Sequence, residues 1–544
     1  MSKTTRRHAV SALTLSGVVL ASATLASAAA LGTSQGPRTT IDPYVQPLDA
    51  TAVQIQSLLT VNNLAAGGLS AMPMAGVPDG LGAFPDGSGK VTVLANHELQ
   101  ATQGSVRAHG TIGSFVSKWT LDPVSGDVTN GSDLMTSVDY SGTPATAFGR
   151  FCSADLAGAS QLFNTVSGKG YNGQIFFNGE ETGSEGRGVA TEVSIGNSKV
   201  INAFGKMSFE NSLAAFTPAS DNTVIISNSD AGGAVNSIYI GTKTNSGSAF
   251  DKAGLTNGNA YGFVVTGAAT DAAFRTAFGK NTPAPFTLTA SPVTGATGAL
   301  QQTAAKAMGA IAMDRTEDGS WDPQNPNVYY FVTTGSTVAT PTHGRGGLWR
   351  MRFNDVNNPA LGGDMTLLLD GNEPNAMYMA DNITVDNHGH IVLLEDPGAD
   401  AYVAKVHAYD IGTGTLAAVA TFDPLRFDPV NTGSPVGTGT FMTNDEESSG
   451  VIDTEATLGA GSFLFDAQVH TQGSALNNTL LTNPATQVEH GQLMKMNIDF
   501  TKVFTGNNPV VPETPLTVLI PVTAGALGLG VFMIRRRSTV RAAN

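Results

Sequence analysis

The sequence predicts an all-β protein, and within that class a β-propeller. Three observations predict it. Short β runs bounded by Gly, Asn, Asp, Ser and Pro recur in closely spaced groups from about residue 90 to 500. Several of these runs are apolar almost throughout, which suits strands buried on both faces. The stretch between the two special ends is also long, about 480 residues, and exceeds an ordinary single domain. Radial repetition can keep adding sheet at that length without leaving long bare edges, so a propeller is favoured over a sandwich or a barrel.

The elements follow in chain order. Residues 1–28 read as a secretory signal: Lys3, Arg6 and Arg7 precede an apolar stretch from Val10 to Leu25, and Ala26-Ser27-Ala28 fits a cleavage site. Arg6-Arg7 leaves twin-arginine export open beside the general route. Residues 29–50 read as an extended leader, and the propeller domain is set at 29–500. Its strands include "KVTVLANHE", "GQIFFNGEE", "NTVIISNSD", "NSIYIGTKT", "NVYYFVTTG", "GGLWRMRFND", "DMTLLLDG", "HIVLLEDPG" and "GSFLFDAQVH". Helix is expected only at 271–279 and 300–311, inside an excursion over 251–310. A linker spans 501–515. Leu516 to Ile534 carries no charge and is followed by Arg535-Arg536-Arg537. At ~1.5 Å per residue it spans roughly 28 Å, close to the hydrocarbon thickness of a bilayer. The basic tail 535–544 should stay cytoplasmic and leave the body outside, so the expected location is the cell surface or, after release, the extracellular medium.

Composition excludes several functions. A net charge of −15 makes nucleic acid an unsuitable partner. With a single cysteine, Cys152, no internal disulfide can form. There is no HExxH and no Walker A motif. His343, His388, His390, His407 and His470 show no hydrolase partner pattern, and the Gly-rich run 433–441 reads as a turn.

One pattern repeats along the body: an apolar run ends in an acidic or amide cluster. The clusters are Asn96-His97-Glu98, Asn178 to Glu181, Phe209-Glu210-Asn211, Ser229-Asp230, Arg315 to Asp318, Asp381-Asn382, Glu395-Asp396 and Asn444-Asp445-Glu446-Glu447. Singly, each is an ordinary solvated turn. Together, in a propeller, they would converge on one mouth, where like charges repel unless cations neutralise them. Hard oxygen ligands of this kind select Ca²⁺, Mg²⁺ or ferric iron. Cys152 reads either as a small buried hydrophobe or as a soft ligand that favours iron at one position. Arg150, two residues before it, and the nearby acids favour the second reading.

"NHE", "GRFCSADLAG", "FFNGEETG", "MSFEN", "MDRTEDGSWDP", "MADNITVD", "HIVLLEDPG" and "TNDEESSGVID", in this order over roughly residues 70 to 500, resemble the motifs of the PhoX-type alkaline phosphatases, a DUF839-like family. The resemblance implies a six-bladed propeller, exported, that hydrolyses small phosphate monoesters at a mixed Fe³⁺ and Ca²⁺ cluster. It implies Cys152 as an iron ligand, with Glu180 or Glu181, Glu210 and Glu317 as the leading carboxylate ligands. Glu98, Asp381, Asn382, Glu395, Asp396 and Glu446 complete the candidate metal set. Arg315 would contact the substrate phosphate; its competing role is an ion pair with Glu317 or Asp318. The chain departs from the family in having Phe209 before Glu210, where a histidine is usual, and in its C-terminal apolar run. A calcium-stabilised surface propeller without catalysis, or a phosphodiesterase or phytase on the same scaffold, are the competing functions. A monomer is expected.

Overall fold

The structure, a computed structural model, describes residues 32–63, 72–335, 345–431, 435–436, 439–471 and 481–505. The expected signal segment, most of the linker, the apolar run 516–534 and the basic tail lie outside the described residues. Among the described residues no helix is long and apolar enough to cross a membrane.

Each apolar run singled out above forms a strand. The strands assemble into six four-stranded antiparallel units. The first comprises Pro78–Pro85, Val91–His97, Phe115–Leu121 and Val128–Asp133. The next four begin on Asp155–Ala157, Phe209–Ala214, Thr316–Trp321 and Ala380–Val385. The sixth takes Glu446–Asp453, Ser462–Val469 and His490–Ile498 from the C-terminal end and Val53–Thr60 from the N-terminal end. The first strands of the six units touch one another in a closed circle. The architecture is β-propeller-like, and the N-terminal strand closes the ring.

The uniform apolarity of the runs now has a physical reason. Six apolar clusters lie one between each pair of neighbouring units. In Ile175–Gly179, Phe176 enters the cluster shared with the first unit and Phe177 the cluster shared with the third. In His390–Glu395, Ile391 and Leu393 face the fourth unit while Val392 and Leu394 face the sixth. Side chains alternate across a strand, so a strand wedged between two units must be apolar at every position. A period-2 pattern is therefore absent.

Three sequence expectations need adjustment. Part of the expected leader is sheet: Val45–Pro47 pairs with Thr415–Phe422, and Thr33–Gln35 runs parallel to Val53–Thr60. The expected excursion 251–310 contains structural strands. Asn259–Val265 is the fourth strand of the third unit, and Ala284–Leu288 joins it to the fourth unit. Only Asp271–Phe278 and Gly298–Ala307 are helical as expected, capped by Thr270 and Thr297, whose hydroxyls accept from Ala273 N at 3.1 Å and Leu300 N at 3.2 Å. Beyond the expected boundary at 500, Phe500–Thr505 is a short helix that buries Val503 and stacks Phe500 on His390 at 3.9 Å.

Candidate active site

Each unit repeats one device at the same end of the ring. In five units the residue just before the first strand offers its carbonyl to the N–H of the residue just after the second strand; in the second unit Arg150 and Glu181 do the same beside the isolated bridge Phe151–Glu180. The six bonds are Glu98 N to Val77 O, Glu181 N to Arg150 O, Asp230 N to Ser208 O, Thr334 N to Arg315 O, Asp396 N to Met379 O and His470 N to Asp445 O, all between 2.8 and 3.0 Å. In four units the carbonyl donor residue is left-handed: Val77 at φ 51°, Arg150 at 48°, Arg315 at 56° and Met379 at 53°. A positive φ costs an L-residue roughly 1–2 kcal/mol, and such strain concentrates at functional sites.

Two residues further on, every unit carries a carboxylate or thiol, side chains of a kind that can hold a metal: Asp79, Cys152, Glu210, Glu317, Asp381 and Glu447. All six are buried. In four units the strand pairing explains how they are turned inward. Between Pro78↔His97 and Leu81↔Ala95, two residues oppose one, and the same bulge occurs at Glu210-Asn211, Glu317-Asp318 and Asp381-Asn382. A bulge bends the strand and re-aims its side chains. The result is an inner ring of one ligand per unit and an outer ring formed by Glu98, Glu181, Asp230, Thr334, Asp396 and His470.

Three groups stand close enough to share a cation: Asp79, Glu98 and Cys152; Cys152, Glu181 and Glu210; Glu210, Glu317 and Asp381. Within each, the ligand atoms lie within 4.8 Å of one another. Glu210 Oε2 and Glu317 Oε1 are buried without a hydrogen-bond partner. The Cys152 thiol donates to Asp79 Oδ2 at 3.2 Å, and Ser153 Oγ donates to Glu210 Oε1 at 2.5 Å. Gln468 ties the first group together, its Nε2 donating to Asp79 Oδ2 at 2.9 Å and Glu98 Oε2 at 3.0 Å.

The electrostatics are those of a site that wants positive charge. Burial, then Asp79, Glu210 and the outer-ring acids, push the Cys152 thiol well up. Burial and mutual repulsion likewise raise Asp79, Glu181, Glu317 and Asp381, and Glu210 rises to about 8 mainly through burial. Asp396 rises to about 7 by burial and the nearby Glu447. Asp230 goes the other way: burial would raise it, but the Arg315 guanidinium holds it below the usual range. Without cations the ring must retain protons. A donor set of buried carboxylates and one thiol, with orphaned oxygens, fits metal ions.

Two arginines flank this ring from equivalent positions. Arg315 Nε and Nη2 donate to the two oxygens of Asp230 at 2.9 and 3.0 Å. Its Nη2 also stands 3.2 Å from Glu317 Oε1, a charge contact without hydrogen-bond alignment. Arg150 Nε donates to Glu98 at 2.6 Å and its Nη2 to Glu181 at 2.5 Å. Both side chains keep about a third of their surface open, 31% for Arg315 and 39% for Arg150.

Of the residues expected from sequence, Cys152, Glu98, Glu181, Glu210, Glu317 and Asp381 come together, and Asp396 joins the outer ring. Asn382 sits one step deeper: its amide donates to Asp381 Oδ1 at 2.6 Å and its oxygen accepts Gly450 N at 2.7 Å. Glu180, Glu395 and Glu446 are not brought to the mouth. Glu180 is turned between units and bonded to Arg187 Nε at 2.5 Å and Gly149 N at 3.1 Å. Glu395 is held by Tyr378 N at 2.6 Å and His407 Nε2 at 2.8 Å. Glu446 accepts Ala404 N at 3.1 Å. Arg315 pairs with Asp230 and Glu317 and makes no contact with Asp318. Sequence reading had Asp230 and Glu447 only as members of acidic clusters and Arg150 only as a neighbour of Cys152, and it missed Asp79, Gln468 and His470 as site residues.

Fold and site together define a propeller-like protein whose mouth is a thiol-bearing ring of carboxylates. The family model described as "Alkaline phosphatase PhoX" matches residues 288–424, which include Arg315, Glu317, Asp381 and Asp396. Among solved structures, that of Pseudomonas fluorescens PhoX in complex with vanadate, a transition state analogue, is similar at 12% identity. The match covers 86% of this chain and 98% of that one, with a TM-score of 0.55. TolB from Acinetobacter baumannii is a more distant likeness, at 10% identity over 76% of this chain and 65% of that one, with a TM-score of 0.30. None of the curated proteins matches the chain. The family match over residues 288–424 and the likeness in fold agree with the PhoX-type resemblance of the sequence motifs.

Proposed function

We propose that the protein is an exported phosphatase that hydrolyses small phosphate monoesters at a mixed iron and calcium cluster in the mouth of a six-bladed propeller. One observation carries the reading: six ligand-type side chains, one per unit and one of them a thiol, share a buried ring flanked by two half-open arginines. The two groups that contain Cys152 suit iron, since they mix soft sulfur with oxygen; the group Glu210, Glu317 and Asp381 is all hard oxygen and suits calcium. Ions held there supply charge for the phosphoryl oxygens and the Lewis acidity that activates an attacking water.

The chain's own residues do the rest. Asp230 fixes the Arg315 guanidinium and leaves its Nη1 edge, unengaged among the described residues, to donate to a phosphoryl oxygen. Arg150, fixed by Glu98 and Glu181, is a second such donor from the neighbouring turn of Cys152. Charged donors held in advance stabilise the extra negative charge of the transition state without reorganising. The chain ends support the location: residues 1–28 have the make-up of an export signal, and 516–534 with Arg535 to Arg537 that of an anchor with the body outside.

The test combines elemental analysis of the body (about 29–510) with turnover of p-nitrophenyl phosphate at alkaline pH in added Ca²⁺. Iron near one or two per chain with turnover is expected. Calcium alone without turnover would replace this reading by a non-catalytic surface propeller, and preference for diesters or phytate would move the substrate class. Arg315→Ala should lower kcat/KM about 10–10²-fold, since a charged hydrogen bond contributes about 1.5–3 kcal/mol. Arg315→Lys should recover only part of it, because an ammonium cannot both hold Asp230 in a fork and reach the substrate. Unchanged kinetics in Arg315→Ala would remove Arg315 from the site.

A further inference from the structure

Two of the six mouth turns carry an arginine, Arg150 and Arg315, and the unit before each grips it at two points. Asn96 and Glu98 stand two apart at the end of Val91–His97, and Asn228 and Asp230 at the end of Asn222–Ser229. That spacing puts two side chains on one face of a strand. In each pair the acid takes the guanidinium: Glu98 accepts Arg150 Nε, and Asp230 accepts Arg315 Nε. The amide takes the main chain of the ligand-type residue two past the arginine. Asn96 Nδ2 donates to the Cys152 carbonyl at 2.7 Å and to that of Ser153 at 3.3 Å, and Asn228 Nδ2 donates to the Glu317 carbonyl at 2.6 Å. Asn-x-Glu or Asn-x-Asp on one unit thus meets Arg-x-Cys or Arg-x-Glu on the next.

Both amides are fully buried, and each is aimed by a donor on its oxygen. Asn178 Nδ2 donates to Asn96 Oδ1 at 3.2 Å, and the Tyr329 hydroxyl donates to Asn228 Oδ1 at 3.1 Å. With the oxygen engaged, the NH₂ group faces the carbonyl. Ionised aspartate there could not donate, and leucine could neither donate nor accept. At the equivalent place, two before the outer-ring residue, the other units have Gly179, Val332, Leu394 and Gln468. The first three have no side-chain donor, and Gln468 reaches side chains of the mouth instead.

The grip answers a need of these two turns. Cys152 precedes the second unit's first strand, Asp155–Ala157, and the bulge between Thr316↔Thr333 and Gly319↔Phe331 takes Glu317 out of its ladder. Their carbonyls are therefore outside the regular strand pairing, and a buried carbonyl without a donor is destabilising. Arg150 and Arg315 are also left-handed, a conformation that persists only where the surroundings over-determine it. Strain alone does not call for the amide, since Val77 and Met379 are left-handed without one. What sets the two gripped turns apart is the arginine.

We infer that Asn96 and Asn228 are positioning residues, each locking an arginine and the ligand-type residue two places later into one rigid piece that meets the phosphoryl group. The inference rests on the phosphatase reading and deepens it. Asn96 acts through Arg150 and Cys152, and Asn228 through Arg315 and Glu317; neither touches substrate. Their amides fix where the charged groups stand, and preorganised charge loses its effect on a transition state when it is misplaced by about 1 Å.

The test is Asn96→Leu and Asn228→Leu, close in size and without hydrogen bonds. Asn164→Leu stands beside them as a control, since Asn164 is a buried amide that bonds Asp221 at the far end of the ring. On the full chain, kcat/KM for p-nitrophenyl phosphate, binding of inorganic phosphate, iron per chain and Tm are measured. Each of the two variants is expected to lower kcat/KM about tenfold, the effect of one lost hydrogen bond, and to weaken phosphate binding severalfold. Asn96→Leu should also give up its iron to a chelator faster, because Cys152 is loosened. Asn164→Leu should lower Tm and leave phosphate binding as in the wild type. Phosphate binding and kcat/KM unchanged in both variants, or lowered equally by Asn164→Leu, would overturn the inference. If Asn228→Leu does not fold, Tyr329→Phe takes its place: the ring stays, the amide is freed to turn, and phosphate binding should weaken; no change counts against the inference. Hydrogen exchange reads the grip without turnover. It should rise over 149–153 in Asn96→Leu and over 314–318 in Asn228→Leu or Tyr329→Phe, and the absence of a local rise sinks the inference. A wild type that neither binds phosphate nor turns over ester fails the phosphatase reading instead, and exchange at the two turns still decides the grip.

Discussion

Replacing Cys152 by serine is expected to strip the iron and lower kcat/KM by about a thousandfold, while the chain still folds. The side chain is 5% exposed and sits in two of the three ligand groups. Serine is nearly isosteric and can still donate to Asp79 Oδ2, so packing and the one hydrogen bond survive. The soft donor does not survive: a serine hydroxyl stays protonated where a thiol ionises on a metal. Loss of one preorganised electrostatic element typically costs 10²–10³ in kcat, and here the change removes the ligand shared by two groups. Cys152→Ala separates ligation from hydrogen bonding and should give the same iron loss. Iron is counted by elemental analysis and folding by the thermal transition. A serine variant that keeps its iron and its turnover would return Cys152 to the role of a small core residue.

How much of this was legible in the sequence depends on what kind of constraint each residue obeys. The strands were legible because wedging between two units forces apolarity at both faces, as in Ile391 to Leu394. Acids that end or open such a run and come together in the fold, Glu98, Glu210, Glu317 and Asp381, could be picked out for the same reason. Two things were not. In the neighbouring acids Glu180-Glu181, Glu395-Asp396 and Glu446-Glu447, a one-residue shift sends a side chain to the opposite face, and only pairing shows that the second of each pair faces the mouth. Asp79 follows Val77 and Pro78 in a loop-like stretch with no apolar run before it, so its place in the ring depends on the bulge opposite Asn96. The repeat itself is carried by backbone bonds from Val77, Arg150, Ser208, Arg315, Met379 and Asp445, residues that share no side-chain chemistry, which is why the sequence shows no repeat.

Stripped of cations, the protein should lose stability as pH rises from about 4.5 to 8, the reverse of ordinary acid denaturation. The sign follows from the ring. In the rings, burial pushes Glu210 up from 4.5 to about 8 and Asp396 from 3.8 to about 7, and beside them it pushes the buried Asp155 and Asp318 from 3.8 to about 7. Between the two values the folded chain holds more protons than the unfolded chain, so the stabilisation these groups give is complete below the unfolded pKa and is lost as pH climbs through the folded one. Several groups titrating together should lower Tm by a few degrees across this window, given a few kcal/mol in a chain of this size. Cations compete with the same protons, so restoring iron and calcium should recover stability most at pH 8 and least at pH 5. Thermal scans in chelator and in added metal, from pH 5 to 8, measure both slopes. A chelated protein whose Tm rises with pH would mean that the ring carboxylates are solvated and open, and would leave the mouth without the buried charge that makes it a metal site.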